Sequence, residues 1–454
     1  MAGELLEVQD ERTIIKDDCV AYFHRHIKSR TSSLIGLEYE LILIDRTTSL
    51  SVPFFGVRSL SSIFKGLLSY GYAPVHDDGL IVGLKRRATV VSLEPGGQME
   101  FSSSPLRLVS DILVELEIFL RELDEVCNRL AISLLPIGFR PFGDVSSVAT
   151  VPRKRYLHMM PILEKVTGAS AGQKMTASMQ VSVDYFSERH AGKLLKLGVA
   201  CQPYIVALFA NSPYSAAVSS RYKSHRMHAW TLFDQQRAGI PDFMLSAEFV
   251  PNAFEHYVEW ALDKPVLFIQ REGELIHMND LIFRDYMRLG ARSGGATLQD
   301  WVMHLGTLYP EARLKNVVEF RSADTCASPF AASLAAFWKG LAYSEEALDG
   351  ALDFLGGQAL NELNIKYAQA AEFGMKGVDS SGISLASGIQ RLVELASEGL
   401  DCQGAADTER EYLRSLQRMI SAGYSPADLM LKDGAPLWFS TARKRGDPND
   451  ICLP

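Results

Sequence analysis

Cysteine is scarce. Six occur in 454 residues, Cys19, Cys127, Cys201, Cys326, Cys402 and Cys452, and no two lie closer than 50 positions. That spacing offers no CxxC pair and no zinc-finger pattern, and it suits a reducing cytoplasm rather than a disulfide-stapled secreted fold. Long apolar runs are also missing. The greasiest stretch, residues 197–210, is broken by Gln202 and Pro203 and is too short to span a bilayer, so it reads as a buried helix. The N-terminus is acidic and lacks an apolar h-region, so no signal peptide is expected. Positive charge is not in excess: Lys+Arg total 46 against 54 Asp+Glu, a formal charge of −8. Basic residues gather only in short runs such as Arg153-Lys154-Arg155, which argues against nucleic acid or a membrane surface as a partner. There is no internal repeat, and no Walker A, GxGxxG, GxSxG or HExxH sequence.

What is present is an ordinary globular composition, 47% hydrophobic and 22% charged, with ample material for a core. Hydrophobic periodicity predicts helices over 14–29, 59–70, 105–131, 153–166 and 187–208. Strands are expected over 36–44, at 88–101 as two short strands around Pro95-Gly96-Gly97, and over 132–138, 176–185 and 316–323. From about residue 328 the signal is helical, over 330–343, 344–355, 382–397 and 407–422. The order lacks regular strand–helix alternation, which points to α+β: an antiparallel sheet with helices packed on one side.

The strands carry unusual side chains. With alternation of period two, Glu38 and Glu40 share one face, Gln180, Ser182 and Asp184 another, and Glu319 and Arg321 a third, while Glu94 and Glu100 flank the Pro-Gly-Gly turn. For one strand alone, a solvated polar face would suffice. Across three strands, glutamate is costly in β-structure and like charges repel unless a cation lies between them. Hard divalent cations take oxygen ligands and bridge carboxylates to phosphates. A polar face built from Glu38, Glu40, Glu94, Glu100 and Glu319 is therefore a candidate Mg-nucleotide cradle, with Arg321 placed to neutralise a transferring phosphoryl group. A second polar run, 221–237, holds Arg221, Lys223, His225, Arg226, His228 and Arg237 among Trp230 and Phe233. It is either a basic helix surface or a clamp for anionic substrate groups. Lys85 could reach phosphates or belong to a solvated turn, and His225 with His228 lacks a third metal ligand.

These residues sit in blocks that resemble the plant and proteobacterial type of glutamate–cysteine ligase. The blocks are IGLEYE from Ile35, SLEPGGQMEFS from Ser92, PIGF from Pro136, MQVSVDY from Met179, the Trp230–Gly239 run, FRDYM from Phe283, LGTLYPEARLKNVVEFRSAD from Leu305 and AFWKGLAY from Ala336. They run in order over nearly the whole chain, so the resemblance implies a single domain, 1–454. The implied fold is like the glutamine synthetase catalytic domain, a curved antiparallel sheet forming an open funnel with helices on its outer side. The implied reaction is ATP-dependent amide formation through an acyl phosphate, with glutamate as the acid and cysteine as the amine. ATP and Mg²⁺ or Mn²⁺ are the implied co-substrate and metal, and amino acids the partners of a monomer or homodimer.

By resemblance, Glu38, Glu40, Glu94, Glu100 and Glu319 look like the metal-binding set, with Glu319 and Arg321 catalytic. Lys85, Gln180 and Arg321 look nucleotide-facing, and Arg226, Trp230, Arg237 and Gln180 substrate-facing. The sequence departs from the family's usual pattern at Ser182, Leu232, Phe233, Gln236 and Ser322. Ala177 stands where plant enzymes carry a regulatory cysteine. An apolar Leu232-Phe233 lining would suit a ligase for a different acid or amine, which is the alternative reading. A catalytically dead scaffold is disfavoured, because it has no physical reason to keep like charges clustered.

Overall fold

The computed structural model describes residues 12–166, 168–278, 281–290, 294–403 and 406–433. Nine strands form its main sheet. They are β1 (Ile35–Asp45), β2 (Ala73–Asp77), β3 (Leu80–Arg86), β4 (Thr89–Leu93), β5 (Met99–Ser102), β6 (Ile132–Leu135), β7 (Ser178–Val183), β8 (Ala312–Leu314) and β9 (Val318–Asp324). The order across the sheet is β8-β9-β7-β1-β5-β4-β3-β2, with β6 also paired to β1, and every pairing is antiparallel. The helices that matter for the site and core are α1 (Val109–Arg129), α2 (Lys154–Leu163), α3 (Ala169–Lys174), α4 (Glu188–Leu208), α5 (His225–Thr231), α6 (Leu298–Leu305), α7 (Ser328–Tyr343) and α8 (Leu385–Cys402). This is the expected α+β arrangement.

One face of the sheet is apolar and buried under helices. Leu37, Tyr39 and Leu41 of β1, Phe101 of β5 and Phe320 of β9 belong to one continuous core with α1, α4 and α7. Phe101 stacks on Phe119 of α1 at 5.0 Å, and Phe320 on Trp338 of α7 at 3.7 Å. The Tyr39 hydroxyl is satisfied within this core by donating to the Cys326 carbonyl at 2.6 Å. Helix α7 is apolar almost all round, SPFAASLAAFWKGLAY, and is correspondingly buried on nearly every side between sheet and α8. Stretch 197–210 is the buried second half of α4, as expected. The other face of the sheet carries the polar residues.

Several expected elements shift or divide. The 105–131 helix begins only at Val109, because Leu108 is extended and residues around Pro105 bridge to β1. The 407–422 helix is broken into Ala406–Glu411 and Arg414–Ala422. The β2–β3 hairpin was not expected, although Asp78-Gly79 marks it. Asp77 pairs with Leu80 across a two-residue turn, and both turn residues have positive φ, 49° and 76°, as a type I′ turn requires.

His304, at the end of α6, gives the fold a pH signature. It is 1% exposed, donates from Nε2 to the Ala261 carbonyl at 2.8 Å, and rests against the Phe283 ring, while its Nδ1 has no partner. Burial lowers its pKa from 6.5 to about 3. The unfolded chain binds a proton below pH 6.5 and the folded chain does not until about pH 3, so this residue's contribution is lost as pH falls through 6.5. His304→Gln should therefore lose ~2 kcal/mol less unfolding free energy than the wild type between pH 6.5 and 5. Urea unfolding of both proteins at the two pH values checks this.

Candidate active site

The strand registers set the polar face in two rows. One row runs Gly83–Ser92–Glu100–Glu40 across β3, β4, β5 and β1. The next runs Lys85–Val90–Ser102–Glu38–Gln180 from β3 to β7. Arg321 of β9 joins at a bulge between Phe320 and Ala323, where the ladder skips register. A cleft over this face is lined by Glu38, Glu40, Glu94, Glu100, Gln180 and Arg321. Four of the five expected metal-binding glutamates and two of the three residues expected to face the nucleotide, Gln180 and Arg321, thus meet in one cavity; Lys85 does not join them.

Glu94 is placed by the Glu94-Pro95-Gly96-Gly97-Gln98 turn. Gly97 N donates to the Glu94 carbonyl and Glu94 N to the Gln98 carbonyl, each at 2.9 Å, and Gly97 takes φ +80°. This is a type I turn closed by a left-handed glycine, a connection that keeps the flanking strands in register. Gly96 is demanded by packing instead: a Cβ there would lie 2.2 Å from the Lys174 carbonyl oxygen at the end of α3. Gln98 completes the joint, its amide donating to the Gln173 and Thr176 carbonyls at 3.1 and 2.7 Å.

The cleft is strongly charged. Glu40 is 7% exposed; its oxygens accept from Ser178 N at 2.6 Å and from the Gln180 amide at 3.0 Å. Burial, then Glu94 and Glu100, push its pKa up to about 8. Burial, then Glu100, push Glu94 up to about 7. Ser92 and Ser102 donate to Glu100 at 3.0 and 3.3 Å. Gln180 is oriented by its other end, where its carbonyl oxygen accepts from Arg321. Glu319 lies outside the cleft lining, fully buried behind Arg321. Its Oε2 takes Arg321 and the Arg313 Nε, both at 2.7 Å, and its Oε1 lies 3.2 Å from Lys315. These cations hold its pKa well below the usual carboxylate range.

Arg153, at the N-cap of α2, and Arg155, Tyr156 and Met159 of that helix form a cationic wall of the same cleft, with Arg155 and Arg153 near enough to Glu94 to oppose its upward pKa shift. Arg155 donates to the Gly306 carbonyl at 3.1 Å, and its Nε has no partner. The Tyr156 hydroxyl donates to the Leu93 carbonyl at 2.7 Å, and Val151 N to the Pro95 carbonyl at 2.9 Å, so the wall is latched to the turn that carries Glu94.

Oxygen donors of this kind suit a hard divalent cation. Carboxylates that hold protons near neutral pH, chiefly because they are buried and secondarily because they repel one another, mark a place where positive charge would be accepted. Among the described residues, no group of three or more His, Cys, Asp or Glu side chains is already arranged as a metal cage. Glu40 spends one lone pair of each oxygen on a protein donor, which leaves the others for an ion.

The remaining expected residues lie around the cleft rather than in it. Lys85 is exposed on β3, at the far end of the Glu38 row. Arg226 is buried, donating to the Arg321 and Ser322 carbonyls at 2.9 and 3.4 Å and lying 3.7 Å from Asp324. Arg237 is buried, donating to the Pro265 carbonyl at 2.5 Å and lying 3.3 Å from Asp234. Trp230 packs on Phe233 and on Tyr309, a cleft residue. The apolar lining expected from Leu232 and Phe233 is not found. Phe233 is 1% exposed and so close to α3 that a Cβ on Gly172 would lie 2.8 Å from its ring, while Leu232 is half exposed outside the cleft lining. His225 bonds to Ser220 at 2.8 Å and does not form a metal pair with His228.

Comparison with known proteins identifies the architecture. The profile of glutamate-cysteine ligase family 2 (GCS2) matches residues 34–452. This chain belongs to that family. It is 32% identical over 426 residues to the chloroplastic glutamate–cysteine ligase of Nicotiana tabacum, covering 92% of this chain and 80% of that one. It is 32% identical over 431 residues to glutamate–cysteine ligase A, chloroplastic, of Oryza sativa subsp. indica, covering 93% and 85%. Its fold is similar to that of the glutamate–cysteine ligase of Francisella tularensis, solved in complex with AMP. The TM-score is 0.58 at 12% identity, over 91% of this chain and 88% of the other.

Within this family member, sequence reasoning missed Arg153, Arg155, Tyr156, Met159, Gln173 and Tyr309, all of which line the cleft. In the sequence the basic run at 153–155 is only a short charged cluster, with nothing local to tie it to the sheet. Asp324 was also missed as a positioning residue. It accepts from Asn211 N at 2.9 Å, Ser212 Oγ at 2.6 Å and Ser224 Oγ at 2.9 Å, fixing the start of α5 and with it Arg226.

Gly96→Ala tests the joint between turn and helix. Backbone meets backbone there, so no side chain can yield. The substitution should cost ~2 kcal/mol of unfolding free energy and displace Glu94. Gly71→Ala, also at a turn glycine but facing open space, reports the strain of a positive φ alone and should cost less. Denaturant unfolding of the two variants gives the comparison.

Proposed function

We propose that this chain joins glutamate to cysteine in an ATP-driven reaction that forms γ-glutamylcysteine. The observation that carries the reading is the cleft itself, in which Glu38, Glu40, Glu94 and Glu100 share one cavity with Arg153, Arg155 and Arg321. A free carboxylate is a poor acyl donor. The γ-carboxylate oxygen of glutamate attacks the γ-phosphorus of ATP, ADP departs, and the resulting acyl phosphate carries a leaving group. The amine of cysteine then attacks the acyl carbon, phosphate leaves with the bonding pair, and the ammonium proton passes to solvent or a cleft carboxylate. No covalent link to the protein is needed, so the protein's work is positioning and charge neutralisation.

The roles follow from position. Arg321 is fixed by Glu319 on one side and Gln180 on the other, and so presents its guanidinium without reorganisation to negative charge developing in the cleft. Arg153 and Arg155 are the groups available for substrate carboxylate and phosphate oxygens, since guanidinium recognises both bidentately. Arg226 acts from behind, stiffening the carbonyls of Arg321 and Ser322. Glu38, Glu40, Glu94 and Glu100 would hold Mg²⁺ or Mn²⁺, which supplies Lewis-acid neutralisation of the phosphate oxygens when bound. The free thiols at Cys19, Cys127, Cys201, Cys326 and Cys402 support the cytoplasm as the proposed compartment.

Two measurements test the reading. Glu40→Gln should lose at least ~100-fold in ligation, measured by mass spectrometry of γ-glutamylcysteine with all three substrates present. The same variant should melt no lower than wild type at pH 8, because an ionised Glu40 is disfavoured in the folded state. Retained activity would remove Glu40 from the ion site. Separately, Mg²⁺ must displace protons from Glu40 and Glu94, whose pKa values stand near 8 and 7. Its affinity should rise as pH is raised from 6 to 8.5, with proton release detectable by calorimetry in buffers of different ionisation enthalpy. A pH-independent affinity contradicts the assignment.

A further inference from the structure

The helix that forms the cationic wall also carries a histidine that the cleft does not use. His158 of α2 points instead to the hairpin formed by Phe268–Arg271 and Glu274–His277. Its Nδ1 stands 3.1 Å from Nε2 of His277, with ring centroids 5.1 Å apart and planes inclined by 33°. The two backbones are held in this relation by other bonds. Lys154 of α2 reaches Glu274 at 2.6 Å and the Gly273 carbonyl at 3.3 Å. Arg271, on the other hairpin strand, is fixed to Asp300 and Tyr286, each at 2.7 Å. The imidazole pair is therefore set in place by its surroundings.

A tetrahedral ion bound by two imidazoles at ~2.0–2.1 Å holds their nitrogens roughly 3.3 Å apart. The two rings already stand close to that bite without any movement of backbone. We propose that His158 and His277 form a two-histidine chelate for a borderline transition-metal ion of the Zn²⁺ class, with water completing its shell. Each facing nitrogen must present a lone pair. The hydrogen now shared between them moves by tautomer exchange to a far ring nitrogen, so two neutral imidazoles bind the ion with no net proton lost. The neighbouring Glu274 adds negative charge beside the pair, and it is already engaged by Lys154.

This site differs in kind from the cleft. Imidazole selects Zn²⁺, Cu²⁺ or Ni²⁺, whereas carboxylates suit Mg²⁺ and Mn²⁺, so the two can be filled separately. An ion at the histidines cross-links α2, and with it Arg153 and Arg155, to a surface hairpin.

The test is calorimetric titration of the full chain with Zn²⁺ in excess Mg²⁺, comparing wild type with His158→Gln and His277→Gln. A binding event that weakens at least ~10-fold in each variant, and persists in Glu40→Gln, supports the chelate. An event unchanged in both histidine variants, or one removed by Glu40→Gln or Cys402→Ser, overturns it, as does the absence of any event in the wild type. Thermal melting without zinc shows whether the variants fold. Zinc should raise the melting temperature of wild type and not of His277→Gln, an exposed position where the substitution leaves the core untouched.

Discussion

The structure turns on the crowding of like charges on one sheet face. Glu40 stands directly across from Glu100 in the β1–β5 register, a pairing that β-structure ordinarily avoids. The sheet answers this differently at its two ends. Toward β9 the answer is internal: Glu319 is surrounded by Arg313, Lys315 and Arg321 and stays ionised. Toward β4 and β5 the compensation is weaker: burial and neighbouring carboxylates outweigh Arg226 at Glu40, and Arg155 and Arg153 at Glu94, so both hold protons to unusually high pH. Gln180 lies at the boundary, its NH₂ on Glu40 and its carbonyl oxygen on Arg321. The cleft thus has one electrostatically finished side and one that is completed only from outside.

Much of this could be read in the sequence because β-strands impose a strict alternation. Once 36–44 and 176–185 were strands, Glu38, Glu40 and Gln180 had to share the face opposite Leu37, Tyr39 and Val181. The same rule placed Arg321 beside Glu319, but not how far each would be from open space. That depended on β8, whose Arg313 closes over Glu319, and on a bulge that periodicity does not reveal. The cationic wall was illegible for a different reason. Arg153 and Arg155 reach the cleft only because α2 docks across the sheet, a long-range contact with no local signature. Arg226 and Arg237 failed in the opposite sense. Their charge suggested substrate, and tertiary packing turned them onto backbone carbonyls and buried acids. Leu232 and Phe233 were judged by polarity alone, whereas Phe233 answers to the glycine-lined surface of α3.

The departures from the usual family pattern consequently lose much of their chemical weight. Phe233 and Leu232 alter how α5 seats on α3, and Ser322 donates to Glu311 at 3.1 Å behind the cleft. The residues that face the cavity from β1, β4, β5, β7 and β9 are Glu38, Glu40, Ser92, Glu100, Gln180 and Arg321, and none of the departures is among them.

The close approach of Gly96 to Lys174 has a further consequence, for modularity. Turn, helix and wall are interlocked by specific close contacts: backbone against backbone at Gly96, the Gln98 side-chain amide onto two carbonyls, and Val151 N onto the Pro95 carbonyl. A carboxylate-bearing turn transplanted from a relative would arrive without its socket. Exchange of nucleotide-facing parts among these ligases must therefore move residues 92–102 and 151–176 as one block, and recombination between them is expected to yield inactive chimaeras.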